Sequence, residues 1–442
     1  MKKTISFIVA LLSLSACTMY TPPSSEPQSN PGFQEPPSVS INPTYSPLEG
    51  QINRPNKQFN VKVEKDADVD YVNALDQFAL EYYNLLNNEE NQVFSPLSIA
   101  TCYSMLYEGT DGTTRQEIEN MLHYDDSFNH IEEIKNMLLK CAINDEEKGT
   151  YLDIAQSVWT RNKDIFQQEY IDKLTNDYYA EAFDNINFAT TGKQLCADWV
   201  NGKTNNFLNV TANDFASFNG LTVMVLFNTI YLKSSWANEK LFDEDNNREA
   251  EFNNRDGSKS TVTYMNGRYR DAAFYNTSKY KISSLPYNNG ITLNVLLPKE
   301  DYANVLKDSG ALDKLIHFNK LPSAEIDHDD VVWTLPKFKM QTSYNLIALL
   351  GQLGLHETFS GIPNLSRMIS PDYRNNIYVE KSVHVAGIEM SNKGVEAAAY
   401  TYIQMDEKSA TEPVRMTIDH PFAYSITTED GYPLFMGVVN QL

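Results

Sequence analysis

The chain has 442 residues, 42% of them hydrophobic, and a formal net charge of -22. Its Lys and Arg are scattered, with no basic stripe between aromatics, which excludes nucleic acid and heparin-like polyanions as partners. Besides Cys17 there are three cysteines, Cys102, Cys141 and Cys196, an odd count at wide spacing that does not make a disulfide framework.

The first residues read as a processing leader rather than as structure. Lys2 and Lys3 precede an apolar run, Ile5 to Leu14, that is too short to cross a bilayer comfortably. Leu14-Ser15-Ala16-Cys17 resembles the lipobox of bacterial lipoproteins. That resemblance implies removal of residues 1–16, acylation of Cys17 and stable membrane anchoring by more than one chain. It would place the protein in the bacterial cell envelope, at the outer membrane, facing the periplasm or the exterior. The plainer alternative is an ordinary secretory signal that ends near a cysteine. Residues 17–57, rich in Pro, Ser, Asn and Gln, read as a tether. Residues 58–442 show no second linker and no repeat, so one large domain is expected. No later apolar run reaches the length of a transmembrane helix.

Val72, Leu75, Ala79, Tyr82, Tyr83 and Leu86 recur at helical spacing and predict a helix over Asp70–Leu86. In FSPLSIATCYSMLYEG, Ser95 suits an N-cap, Pro96 the first helical turn and Gly109 the stop, with Cys102 as a buried thiol. Thr114 to Glu117 has the pattern of a capping box. LTVMVLFNTIYLK, from Leu221 to Lys233, predicts a strand covered on both faces, in which Asn228 needs hydrogen-bond partners. LPYNNGITLNVLLP predicts a hairpin turning at Asn289-Gly290. VVWTLPKFKM, from Val331, predicts one strand, and NLIALLGQLGL, from Asn345, a helix. Two strands close the chain, near Phe422–Ile426 and Pro433–Val439. Many strands, clustered helices and no βα alternation indicate an α+β fold with mostly antiparallel sheets.

Catalytic motifs are missing. There is no GxSxG elbow, no phosphate loop and no HExxH helix. Asp327-His328-Asp329-Asp330 offers carboxylates around one imidazole, and a solvated acidic loop is favoured over a metal site there. Seven histidines show no ligand spacing. The chain is therefore expected not to be an enzyme and to need no cofactor.

Five segments, in order from Asn91 to Val439, resemble the serpin family of protease inhibitors. They are NQVFSPLSIATCYSMLYEGTDGTTRQEI, VLFNTIYLKSSW, SVHVAGIEMSNKGVEAAA, DHPFAYSI and PLFMGVVN. The resemblance implies three mostly antiparallel β-sheets surrounded by eight or nine helices, with an exposed reactive loop at about residues 392–415. Position by position it implies that Ser95, Ser98, Asn228 and His384 form the shutter beneath the largest sheet. Trp236 matches the breach at that sheet's top. It also implies a monomer whose partner is a target endopeptidase, held in a covalent complex.

The loop sequence KGVEAAAYTYIQMDEKSATEP has two characters. Its first half alternates: Val395, Ala397, Ala399, Thr401, Ile403 and Met405 share one strand face, and Glu396, Ala398, Tyr400, Tyr402, Gln404 and Asp406 the other. Its second half is charged and rich in Ser and Thr. The family's mechanism reconciles them: a protease cuts the exposed loop, and the freed hinge, Gly394 to Ala399, inserts as a central strand. Small residues at Ala397, Ala398 and Ala399 favour an inhibitor. Two departures from the family's inhibitors are Val395 in place of Thr or Ser, and Asn392 in place of Glu. The latter removes a charge at the breach, which lowers the barrier to premature insertion. Counting from the hinge, Gly394 to Lys408 spans fifteen residues and sets the cut at Lys408-Ser409. Counting back from Pro421-Phe422 gives Ala410-Thr411. The hinge-side count is preferred, and Lys408 implies trypsin-like targets. The competing expectation is a non-inhibitory binding protein on the same fold.

Overall fold

The computed structural model describes residues 8–15, 48–86, 89–206, 209–373, 377–394 and 413–442. Among them are nine α-helices: α1 (Val69–Leu85), α2 (Pro96–Tyr107), α3 (Gly112–Met121), α4 (His130–Lys140), α5 (Gln168–Asp177), α6 (Thr191–Lys203), α7 (Tyr302–Val305), α8 (Ser309–Ile316) and α9 (Leu346–Leu350). The first strands are β1 (Ile8–Ser15), β2 (Gln51–Asn53), β3 (Gln92–Phe94), β4 (Ile143–Asp145), β5 (Thr150–Thr160), β6 (Glu181–Phe183) and β7 (Thr222–Lys233). Then come β8 (Arg248–Asn253), β9 (Lys259–Asn276), β10 (Tyr280–Pro286), β11 (Thr292–Pro298), β12 (Asp327–Pro336) and β13 (Phe338–Asn345). The last are β14 (Tyr378–Met390), β15 (Val414–Thr417), β16 (Phe422–Thr427) and β17 (Pro433–Val439).

Local chemistry sets the helix starts. The Asp68 carboxylate accepts the Asp70 N–H to open α1, and the apolar stripe Val72, Leu75, Ala79, Tyr82 and Tyr83 is buried. Ser95 caps α2 and Pro96 sits in its first turn. All twelve residues of α2 are buried, so it is a central helix with no polar face. The capping box expected at Thr114 is not formed, because α3 starts at Gly112. The Thr114 hydroxyl instead donates to Glu357 and accepts from the Asn364 N–H, while Glu117 accepts the N–H groups of Glu357 and Thr358. Those side chains join the helix to a distant loop.

The largest sheet has the order β13-β14-β1-β7-β5-β6-β2, with β4 beside β5. Its body-facing side carries Leu152 and Ile154 of β5 with Met224, Leu226, Ile230 and Leu232 of β7, packed with α2. Its other side carries Val225, Phe227 and Tyr231, covered by α6 through Trp199, whose ring lies 5.8 Å from Phe227. Double coverage explains the unbroken apolar run of β7. The other two sheets are joined through the 18-residue β9 into one ladder, β15-β12-β9-β10-β11-β16-β17-β3, with β8 beside β9. The hairpin between β10 and β11 turns at Asn289-Gly290, both at positive φ.

Several expectations are corrected. VVWTLPKFKM is two strands in different sheets, β12 ending at Pro336 and β13 starting at Phe338. Asp327–Asp330 lies within β12, not in a loop, and Asp330 is paired with Arg268. Among the described residues no cluster of ligating side chains could hold a metal ion, and no helix is long and apolar enough to cross a membrane. The folded body starts before residue 58: Gln51–Asn53 is an edge strand against β6, and the Lys57 ammonium pairs with Asp153. Cys102, Cys141 and Cys196 are buried, which raises their thiol pKa values. The largest departure is β1. Its residues belong to the expected leader, and their backbone pairs with β7 and β14 in the largest sheet.

Candidate functional site

The four residues expected at the shutter meet beneath the largest sheet. Ser95 and Ser98 come from the first turn of α2, Asn228 from the middle of β7 and His384 from the middle of β14; all are fully buried. The Ser98 hydroxyl donates to Asn228 Oδ1 at 2.6 Å. The Ser95 N–H donates to His384 Nε2 at 3.0 Å, and the Ser95 hydroxyl accepts the Ser98 N–H at 3.1 Å. The capping turn of one helix thus fastens two strands that do not touch each other.

Two donors in this cluster are left over. With Nε2 accepting from Ser95, the neutral imidazole carries its proton on Nδ1, and neither that atom nor Asn228 Nδ2 has a partner. Burial lowers the His384 pKa to about 3, so the ring is neutral. Gln156, opposite Asn228 on β5, is buried with both amide atoms unpartnered. Buried unmet donors are costly and mark a place where structure is incomplete or changes.

The breach lies where β7 and β14 end. Trp236 is buried, stacks on Tyr287 at 4.4 Å, and donates its indole N–H to the Ser391 carbonyl at 3.2 Å. Ser391 and Gly394 exchange backbone hydrogen bonds at 3.1 Å each, closing a tight turn that points the chain back down the sheet. Gly394 has φ +94°, and a Cβ there would collide with the Ser234 carbonyl oxygen, so only glycine fits. Asn392, the residue standing in place of the family's Glu, is buried and fully engaged. It donates to the Phe242 carbonyl at 3.0 Å and bonds reciprocally with Asn247 at 2.8 and 3.0 Å. Neutral amide pairing holds this turn where an acidic side chain would need a cation. Beside it, Lys339 pairs with Glu389 at 2.7 Å.

Between β7 and β14 lies a slot one strand wide, and β1 fills it, antiparallel to both neighbours. Ala10 is in register with Asn228 on one side and His384 on the other. The hinge residues Val395, Glu396, Ala397, Ala398 and Ala399, the bonds Lys408-Ser409 and Ala410-Thr411, and Cys17 lie outside the described residues. Their two anchors are described: Gly394 at the breach, and Val414 at the start of β15, which pairs in parallel with β12.

Ser95, Ser98, Asn228 and His384 meet at the shutter, while Trp236 and Gly394 lie at the breach. The structure adds others that sequence reasoning missed. Tyr103 shares a 2.8 Å hydrogen bond with Ser382 beside the shutter, Tyr287 supports the breach indole, and Asn247 cradles Asn392. Gln156 had a local signal, a polar residue in a strand otherwise apolar on that face; Asn247 had none.

A family model described as Serpin (serine protease inhibitor) matches residues 73–442. Iripin-1 from Ixodes ricinus is 30% identical over 389 residues, covering 84% of this chain and 94% of that protein. An uncharacterized serpin-like protein from Methanosarcina acetivorans is 27% identical over 380 residues, covering 84% and 86%. Among solved structures, the native state of the thermophilic serpin tengpin aligns with a TM-score of 0.71 at 21% identity, covering 87% of this chain and 97% of that one.

Proposed function

This chain belongs to the serpin family, generally protease inhibitors, and we propose that its processed form, starting at Cys17, is a suicide-substrate inhibitor of serine endopeptidases. Trypsin-like enzymes are the targets implied by Lys408, with papain-like cysteine proteases as a second class. Acylated Cys17 and the Pro- and Ser-rich stretch after it would hold the inhibitor at a bacterial membrane.

The observation that carries this reading is the register at the breach. In an antiparallel pair each step along one strand is a step back along the other. Continued from the Ser391–Gly394 bridge, that rule sets Val395, Ala397, Ala399, Thr401 and Ile403 opposite Met390, Ile388, Ala386, His384 and Ser382. All five of those β14 residues are buried. Directly opposite residues share a sheet face, so the small and apolar face of the loop is the one that would meet the body. The polar face, with Glu396 and Gln404, would point away. A loop patterned at random would match the slot only by chance.

Serpin loop insertion is an established case of strand addition and of stored strain. Each new backbone hydrogen bond adds roughly 0.5–1.5 kcal/mol net. A dozen of them plus apolar burial amount to something on the order of tens of kcal/mol before ordering entropy is subtracted. The body without its extra strand is then held kinetically. Thr401 has a further use. Continued on that register it would fall between Asn228 and His384, where a hydroxyl oxygen could accept from both unmet donors. Replacing Thr401 by Val keeps the shape and removes that acceptor. The cleaved Thr401→Val protein should melt a few degrees below the cleaved wild type, a loss of about 1–3 kcal/mol, with the intact proteins indistinguishable.

The test is incubation of the processed chain with trypsin, then denaturing electrophoresis. A complex that survives detergent is expected, together with a released peptide starting at Ser409 by mass spectrometry. Clean cleavage with no complex would move the chain to the non-inhibitory class.

A further inference from the structure

We propose that residues 48–69 form a membrane-contact ridge, through which the body of the processed chain lies against the bilayer that anchors it. This rests on the reading of Cys17 as a lipid anchor. The stretch precedes the matched family region, 73–442, yet it is fastened to the body along its length. β2 pairs with β6, and the Lys57 ammonium bonds to Asp153 and to the Ile154 carbonyl. Asn60 donates to the Ala142 and Asn144 carbonyls at 2.8 Å each and accepts the Asn144 N–H at 2.9 Å. Lys65 then pairs with Glu132 and Glu133 in the first turn of α4. Such fastening fixes which side chains face outward. Seven large apolar side chains are exposed among the described residues, and four of them, Ile52, Phe59, Val61 and Val69, fall on this stretch. Single exposed apolar side chains are ordinary; a concentration of them marks an interaction surface. Val61 also borders an open groove of about 650 Å³, where half-buried Leu139 and Ile143 extend the apolar surface.

Charge and tether length favour lipid over a soluble partner. Within the ridge Arg54, Lys57, Lys62 and Lys65 balance Glu49, Glu64, Asp66 and Asp68, so it is neutral on a chain of net charge -22. It therefore meets a lipid surface without the repulsion that the rest of the body would meet at anionic headgroups. Glu146 and Glu147, exposed at the rim of the groove, select a mainly zwitterionic bilayer. Thirty residues separate Cys17 from Leu48. A flexible tether of that length spans about 30 Å and holds the ridge at an effective concentration on the order of millimolar near the lipid. A contact made by a few apolar side chains is then enough, and a soluble partner has no such advantage. The contact also orients the bait. Asn144, bonded to Asn60, is in register with Tyr151 at the start of β5, and the neighbouring Thr150 hydroxyl shares a 2.9 Å hydrogen bond with Ser234, two residues from Trp236. Docking here would hold the breach end of the largest sheet near the lipid, within reach of proteases that work at the membrane.

The experiment couples the processed chain through Cys17 to a maleimide lipid in vesicles of phosphatidylethanolamine and phosphatidylcholine with brominated acyl chains. Cys102, Cys141 and Cys196 are buried, so the coupling is confined to Cys17. All four native tryptophans are buried, so a tryptophan placed at an exposed position reports lipid contact by loss of its emission. Val61→Trp marks the ridge. Leu221→Trp marks an exposed apolar position just before β7, at the end of the sheet away from the breach. Docking through the ridge predicts that Val61→Trp loses roughly a third or more of its added emission and Leu221→Trp less than a tenth. The ridge signal should be unchanged in 1 M NaCl and at least halved when Ile52→Ser and Phe59→Ser are added. Equal quenching at both positions, quenching at neither, or a ridge signal that salt abolishes overturns the proposal. The anchor reading is tested separately, by the mass of the Cys17 peptide from bacterial membranes. A peptide without acyl chains would sink the anchor reading and leave the contact measured with coupled lipid as a property of the ridge alone.

Discussion

Replacing Ala397 by Arg in the processed chain should abolish the detergent-stable complex with trypsin and leave cleaved inhibitor and active enzyme. Position 397 falls opposite Ile388, which is buried on the body side of β14. An arginine arriving there would bring a charge into packed apolar surface with no partner, at a cost of several kcal/mol. Even ~3 kcal/mol on the insertion barrier slows that step by about two orders of magnitude, and deacylation then finishes first. Ala398→Arg is the matched control. Its register position falls opposite Gly387, on the face turned away from the body, and it should keep most of the inhibition. Initial cleavage rates by trypsin should be alike in both variants, since Lys408 is untouched. Loss of inhibition in both variants alike would mean that charge near the hinge, rather than strand burial, decides the outcome.

The second large effect is acid lability centred on His384. Burial lowers its pKa to about 3, against 6.5 for a solvated ring. In the window between those values the unfolded chain holds a proton that the folded chain does not. Stability from this group is therefore full above pH 6.5 and falls as pH drops toward 3. Between pH 7 and 5 the loss is about 2 kcal/mol. His317 works the other way, adding back about 1 kcal/mol between pH 7 and 5. Its pKa is raised to about 9, chiefly by the hydrogen bond to Asp76, so its stabilisation is full well below 6.5 and is lost as pH rises from about 6.5 to 9. His384→Gln should lower stability at pH 7, because Ser95 N–H loses its ring acceptor, but flatten the decline between pH 7 and 5. Urea unfolding at the two pH values reads both. A variant as acid-sensitive as the wild type would remove His384 from this role.

Much of this was legible because it is written locally. Ser95 and Pro96 announce the start of α2, the apolar run around Asn228 announces β7, and Asn289-Gly290 announces its hairpin. What was not legible depends on partners far along the chain. Thr114 and Glu117 have the spacing of a capping box, but Glu357, Thr358 and Asn364 claim them. Asn392 looked like a lost charge; its replacement partners, Asn247 and the Phe242 carbonyl, lie about 150 residues away. In VVWTLPKFKM the apolar pattern continues past Pro336, so the change of sheet leaves no mark in the period.

On the proposed mechanism the processed body is strained for want of a strand that its own loop supplies. Thermal unfolding of the processed chain before and after a single cut at Lys408-Ser409 tests this most directly. The cut protein should melt tens of degrees above the intact one, because the inserted hinge completes the sheet between β7 and β14. A cut protein that melts at or below the intact temperature would contradict the claim, leaving a serpin fold without a spring.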